Sequence, residues 1–416
     1  MKRMLFSNLV IISLLVSTSI AEFQVNTHTS NDQKNAAVAM DVEGNFIVVW
    51  SSYGQDGSSN GIFGQLFDPN CIPIGDEFQI NTTTSGNQTE SSVAMDDVGN
   101  FVVAWHGPSI IEEDKEDIFA QQFDPYGQPV GDELQVNSYT QGSQRYPKVT
   151  MNGAGNFAVV WESEKLIADK NMQVASCQLF DVNGLFVGEE FDVNWPADCR
   201  YPNVAIDPYG NFTIVWMEDR SSRMIMAQLY DADGTAKTEP LEVSTIKFSS
   251  LTEPSIAMND SGYFVVTWDG DPELARLDDI HARLFDPNGT PIGEQFMVNT
   301  TLEGPQQYPH VAMNNEGQFV IVWNSQTGIP TTERDIFGRL YDSLGNPVGD
   351  EFQLNTFMEG DQRYADIALS DNGVFATVWQ SDEQDGSGYG VFGEIKSFAN
   401  FVLETSDSRF DLRYKN

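Results

Sequence analysis

Positive charge is what this sequence has least of. Its 416 residues hold 22 Lys and Arg against 61 Asp and Glu, a formal net charge of −39. A chain so acidic repels phosphate backbones and anionic lipid surfaces, which excludes nucleic acid as a partner. Cysteine is scarce too: three residues cannot build a disulfide scaffold. His28, His106, His281 and His310 share no metal-ligand spacing with each other or with the cysteines, so no transition-metal site is expected. Disorder is excluded by what the chain does contain, 40% apolar and 12% aromatic residues.

Only one long apolar run exists, and it lies at the start. Lys2 and Arg3 precede an apolar stretch from Leu5 to Val16, followed by Ser19-Ile20-Ala21. A basic segment, a short apolar core and a small-x-small ending describe an export signal, expected to occupy 1–21 and to be cut after Ala21. The run is too short for a membrane span, which takes about 20 apolar residues. The chain is therefore expected outside the cytoplasm, in the periplasm, at the cell surface or in the medium. Loss of Lys2 and Arg3 leaves 20 basic against 61 acidic residues, or −41.

Self-similarity organises the rest. Phe23-Gln24-Val25-Asn26 recurs as Phe78-Gln79-Ile80-Asn81, Leu134-Gln135-Val136-Asn137, Phe191-Asp192-Val193-Asn194, Phe296-Met297-Val298-Asn299 and Phe352-Gln353-Leu354-Asn355, with Leu241-Glu242-Val243-Ser244 a weaker copy. A Trp closes an apolar run at 50, 105, 161, 216, 268, 323 and 379, at intervals of 55, 56, 55, 52, 55 and 56 residues. Seven units thus fill 22–398, leaving 399–416 as a tail and no room for a second domain.

Each unit holds four strand candidates separated by Asx/Gly turns such as Asp286-Pro287-Asn288-Gly289. In the second strand Phe46, Val48 and Trp50 alternate with Ile47 and Val49, so both faces are apolar and both must be buried. Blades packed against blades bury a strand in this way, and the expectation is an all-β, seven-bladed β-propeller of four-stranded blades. The last unit lacks its fourth strand, whereas Phe23 to Asn26 stands before the first complete unit. The N-terminal strand is expected to close the last blade; Phe401 to Glu404 is the rival.

The unit, in the form NPSVAMDxxGNFVVVW followed by IFGQxFDxxGxPVGxEFQVNT, resembles repeats of secreted bacterial surface and adhesin-like proteins. The hairpin Ala39-Met40-Asp41-Val42-Glu43-Gly44-Asn45 is similar to that of NHL propeller repeats. The resemblance covers nearly all of the chain beyond the leader. It implies fold, export and a loose role in adhesion or ligand binding, and it transfers no catalytic residue.

Turn lengths divide the propeller into two faces. The turns after the first and third strands hardly vary, while the connections after each Trp vary strongly, and variable loops are where ligand contacts usually reside. On that variable face the copies read Gln144-Arg145-Tyr146-Pro147, Cys199-Arg200-Tyr201-Pro202, Gln307-Tyr308-Pro309 and Gln362-Arg363-Tyr364; units one, two and five lack the Arg-Tyr pair. These residues are expected to crowd the channel mouth, where Arg and Tyr suit sugars, carboxylates and protein side chains. Packing of Tyr between blades and pairing of Arg with the abundant acid are the alternative. Two residues beyond the Tyr position run Ala37, Ser92, Lys148, Asn203, Ser255, His310 and Asp366, and His310 and Asp366 fall in adjacent units. Trp195, outside the sevenfold pattern, is a further stacking candidate.

Signals for chemistry are thinner. With 61 acids, carboxylate pairs occur by chance, and no second acid matches Asp366 in its ring. No catalytic residue is assigned and no cofactor is expected. Asp181, Asp231 and Asp286 open turns that resemble the start of a calcium loop but lack its closing Glu, so only weak calcium binding is envisaged. Cys177 and Cys199 could be joined by a disulfide. The sequence therefore reads as a binding or adhesion module for a glycan or a protein, with a polysaccharide hydrolase or lyase and a structural envelope protein as rivals.

Overall fold

A computed structural model describes residues 20–112, 114–167, 169–193, 198–219, 223–246, 253–271, 277–326 and 333–399. Residues 1–19 of the expected export signal, the tail from residue 400 with Phe401 to Glu404, and Trp195 lie outside the described residues. Seven four-stranded antiparallel sheets follow one another round a central channel as the blades of a propeller. In the first blade the strands are Gln33–Met40, Phe46–Tyr53, Asn60–Phe67 and Pro73–Gln79, from channel to rim. Ring closure is by the N-terminus: Ile20–Gln24 pairs antiparallel with Tyr389–Ser397, placing Phe23 opposite Gly393 as the outermost strand of blade seven.

The core is seven separate interfaces rather than one. Phe46, Val48 and Trp50 pack with Val378, Val391 and Ile395 of blade seven. Ile47 and Val49, on the other face of the same strand, pack with Trp105 of blade two. Each interface receives one Trp, and all seven, from Trp50 to Trp379, are at most 1% exposed. The two apolar faces of each second strand thus serve two neighbours. No disulfide reinforces this packing: Cys177 and Cys199 are buried in the apolar cluster between blades three and four without an S–S bond.

Polar residues of the repeat staple the blades. In the Phe-Gln-Val-Asn strand the Asn is buried, and its Oδ1 accepts the backbone N–H that begins the third strand's pairing: Asn26 from Val391 (2.7 Å), Asn81 from Ile62 (2.8 Å) and Asn137 from Ile118 (2.8 Å). Rim acids have a second role beyond solubility. Glu77 accepts the N–H and hydroxyl of Thr27 (2.6 and 2.8 Å), Glu133 those of Thr82 (2.6 and 2.8 Å), and Glu190 those of Ser138 (2.6 and 2.8 Å), each across a blade boundary. Glu22 does the same for Thr356 (2.5 and 2.6 Å), so the closing strand carries its own copy of the clamp. One acid of each Asp-Glu pair is therefore a joint between blades, and its partner in the pair faces water.

The expected Asx turns are present. Asp286 Oδ1 accepts the N–H of Asn288 (2.9 Å) and of Thr290 (2.8 Å), which commits that carboxylate to holding its hairpin.

A buried amide whose partner is removed costs about 1–3 kcal/mol. Asn26→Ala and Asn137→Ala should each lower unfolding stability by that amount. Asn70→Ala, on an exposed turn, should shift it by less than about 0.5 kcal/mol. Urea denaturation midpoints of the three variants check the difference.

Candidate functional site

Most of the seven innermost strands share a defect that shapes the mouth of the channel. In six of them the pairing with the second strand slips, as between Arg145 and Lys148 or between Arg363 and Asp366. The residue at the slip has positive φ: Asn35, Glu90, Tyr146, Tyr201, Tyr308 and Tyr364 all lie between 51° and 56°. Left-handed backbone at a bulky residue is strained, by about 1–3 kcal/mol each, and such bulges re-aim side chains. Here they turn that residue, and the one two positions on, onto the channel wall. In blades three, four and six the intervening residue is Pro147, Pro202 or Pro309, so the bulge leaves no donor stranded there.

At four of these bulges the freed N–H is captured by the residue after the Trp of the preceding blade. Gln380 Oε1 accepts from Asn35 (3.2 Å), His106 Nδ1 from Tyr146 (3.4 Å), Glu162 Oε1 from Tyr201 (2.6 Å) and Asn324 Oδ1 from Tyr364 (3.0 Å). In these four blades the first position of the variable loop is thus a structural cap. Burial sets its protonation. The His106 imidazole is pushed down to about 4 and stays neutral, as an acceptor Nδ1 requires. The Glu162 carboxyl is pushed up to about 7 by burial, against the Tyr201 N–H and Arg200, which lower it.

Two rings of side chains line the resulting cavity, whose volume is about 410 Å³. The outer ring reads, blade by blade, Asn35, Glu90, Tyr146, Tyr201, Glu253, Tyr308 and Tyr364. Tyr146 and Tyr201 lie 6.2 Å apart between ring centroids, and Tyr308 and Tyr364 meet edge-on at 4.9 Å. Burial, with the surrounding carboxylates adding to it, raises the phenols of Tyr146, Tyr201 and Tyr308, that of Tyr201 to about 12, so these three remain protonated donors. The inner ring holds Lys148, His310 and Asp366 among smaller polar residues. His310 Nδ1 and Asp366 Oδ1 are 2.7 Å apart. Asp366 Oδ2 accepts the Val38 N–H across the closing interface (2.9 Å), and Ser92 and Ser255 take the N–H groups of Val149 and Val311 in the same way (3.2 Å each). Burial opposes the charge on Asp366, but the hydrogen bonds from His310 and Val38 outweigh it and hold the carboxyl below its usual range.

The expected site residues separate into three groups. Tyr146, Tyr201, Tyr308, Tyr364, His310 and Asp366 come together on the wall. Arg145, Arg200 and Arg363 do not line the cavity. Alternation along the strand turns them to the loops: Arg145 grips Glu116 through three contacts of 2.8–3.0 Å, Arg363 pairs with Asp361 (3.1 Å) and Tyr389, and Arg200 stands 3.9 Å from Asp198. Trp195 lies outside the described residues. The glutamines at the start of these strands do not line the cavity either. Gln144 and Gln306 are buried and accept from the indole N–H of Trp161 (3.0 Å) and Trp323 (2.9 Å).

Glu90 and Glu253 went unrecognised in the sequence. They occupy the Tyr position in units two and five, where the Arg-Tyr pair is missing; aligning the units on the following Val-Ala-Met, rather than on the pair itself, would have found them. Burial and the charge of Glu253 raise the Glu90 carboxyl, while Lys148 and the Asn35 amide (2.9 Å) lower it. Among the described residues, no group of three or more His, Cys, Asp or Glu is placed to hold a metal ion. No helix there is long and apolar enough to cross a membrane.

No protein-family model and no curated protein matches the chain. Solved structures of similar fold do exist. A polysaccharide lyase aligns at a TM-score of 0.55 and 8% identity over 88% of this chain and 90% of its own. An ulvan lyase bound to a glucuronate–rhamnose-sulfate unit aligns at 0.52 and 9% over 93% and 99%. An alpha-L-arabinanase of Penicillium chrysogenum, complexed with arabinobiose, aligns at 0.50 and 11% over 75% and 94%. At such identities the likeness is one of fold.

A carboxyl whose value is raised on folding favours the folded state at low pH and loses that contribution as pH climbs through the raised value. Relative to Glu162→Gln, the wild type should lose stability between its ordinary value of 4.5 and about 7, and run parallel above. Denaturant midpoints of both proteins across this range check it.

Proposed function

We propose that this protein is an exported propeller that binds a glycan at the tyrosine-ringed channel mouth. One observation carries the reading: four tyrosines held at strained, left-handed bulges round a single cavity of about 410 Å³. Strain repeated at the same place in successive blades points to use of the side chains it aims. Tyr offers a flat apolar face for a sugar ring and a hydroxyl for its hydroxyl groups, and Asn35, Glu90 and Glu253 add hydrogen-bond partners between the aromatic pairs. The first residues of the loops after Trp105, Trp161, Trp323 and Trp379 cap the backbone at this same mouth. The polysaccharide lyase, the ulvan lyase and the arabinanase give precedent for saccharide ligands on this architecture, and fold alone does not transfer their activities.

A second reading is favoured by the His310–Asp366 contact. Asp366 holds His310 through Nδ1, which leaves Nε2 to take or give a proton, so a polysaccharide-cleaving activity is the alternative to binding alone. It is distinguished by incubating wild type and His310→Ala with soluble polysaccharides. New reducing ends or unsaturated products that depend on His310 establish cleavage; their absence alongside retained binding establishes a module.

Export is expected to yield a mature chain starting at Glu22, which N-terminal sequencing of secreted material checks. Screened against an array of neutral, acidic and basic glycans, wild type should retain a ligand. Tyr201→Ala and Tyr308→Ala should each weaken it about tenfold or more, by loss of a stacking face. Unchanged affinity in both, with folding verified by thermal denaturation, would sink this choice of site; capture of a protein by the same mouth would sink the glycan.

A further inference from the structure

We propose that the mouth selects an amine-bearing sugar, whose ammonium sits at the Tyr146–Tyr201 pair between Glu90 and Glu253. The proposal rests on the saccharide reading and narrows its ligand class. The arrangement follows from ring order: Glu90, Tyr146, Tyr201 and Glu253 come from successive blades two to five, so the aromatic pair is flanked by a carboxylate on each side. The remaining charges offset this field in part, on the Glu90 side. Of the acids and bases on the wall, Asp366 is engaged by His310, and Lys148 stands one ring deeper, where its charge acts on both Glu90 and Asp366. The Glu253 carboxylate has no hydrogen-bond or ion-pair partner among the described residues. Half-buried on the cavity wall, it leaves its oxygens open to a ligand, and its charge reaches Glu90, Tyr146, Tyr201 and Tyr308 round the same cavity.

The identity of the cation follows from the neighbours. An ion such as calcium takes six or more oxygen ligands close together, whereas two aromatic residues separate these carboxylates. Tyrosine faces attract an organic ammonium through the ring quadrupole and receive the C–H face of a sugar in the same contact. The excess negative charge of the whole chain raises the local concentration of a cationic ligand and disfavours uronate or sulfated polymers.

The test uses the full chain and two short oligomers of one backbone, glucosamine and its N-acetylated form, titrated calorimetrically at about 150 mM salt so that diffuse attraction is screened. The amine form should bind about tenfold tighter than the acetylated form. Glu253→Gln should remove that preference, and Asp132→Asn, an equal loss of charge on the exposed rim, should leave it intact. Tyr201→Ala should weaken both oligomers. Equal binding of the two forms, or a preference that survives Glu253→Gln or falls equally with Asp132→Asn, overturns the amine assignment and leaves the saccharide reading standing. Failure of both oligomers while another glycan binds through Tyr201 overturns the amine alone; failure of every glycan overturns both. Choline bound with the same Glu253 dependence, where the oligomers are not, assigns the cage to a non-sugar ammonium and overturns the proposal.

Discussion

Each second strand has two apolar faces, and no blade can bury both by itself. Phe46, Val48 and Trp50 need blade seven, and Ile47 and Val49 need blade two. The requirement passes from blade to blade until it returns to the first, so only a closed ring leaves no face in water. Closure is consequently under the strongest demand, and it is met by a strand from the other end of the chain. Phe23 stacks its edge on Phe67 of blade one at 5.5 Å, tying the closing strand to the blade beside it as well as to its own.

The same dependence builds the mouth. Bulges free a backbone N–H in six inner strands, and in four of them the blade before supplies the acceptor. Interblade packing thus sets where each strained residue stands, and the strain is held because the cap and the Trp interface beneath it are both fixed. The acceptors differ in chemistry: His106 is kept neutral, and Glu162 titrates near neutrality. A scaffold that is uniform in backbone therefore carries a mouth that is non-uniform in charge. Aromatic pairs and carboxylates alternate round it, and that asymmetry gives the ring a distinct side for a ligand.

The charge of the chain also acquires two meanings. Glu22, Glu77, Glu133, Glu190 and Glu351 are spent on clamps between blades, where each carboxylate satisfies backbone and hydroxyl donors of the neighbour. Asp76, Asp132 and Asp350 beside them are exposed and keep the rim soluble. In the sequence the two members of each Asp-Glu pair look alike, because alternation assigns a direction only once the strand's register is known. The arginines show the same limit. Arg145 and Tyr146 are neighbours in sequence, yet the strand sends the guanidinium to Glu116 and the phenol to the channel.

What the sequence determined by itself was the ring: seven Trp at near-constant spacing, four strands per unit, both faces of the second strand apolar, and an orphan Phe-Gln-Val-Asn to close the last blade. These are periodic, local signals, and hydrophobic burial leaves few folds that satisfy them. The mouth was decided only by the tertiary structure. Its wall takes a few residues from each of seven segments some 52–56 positions apart, aimed by bulges whose slip cannot be read from composition. The pairing of His310 with Asp366 was visible because both depart from the repeat in adjacent units. Glu90 and Glu253 became visible only when the ring set them on either side of Tyr146 and Tyr201, because the charge round a site is a property of neighbours in space.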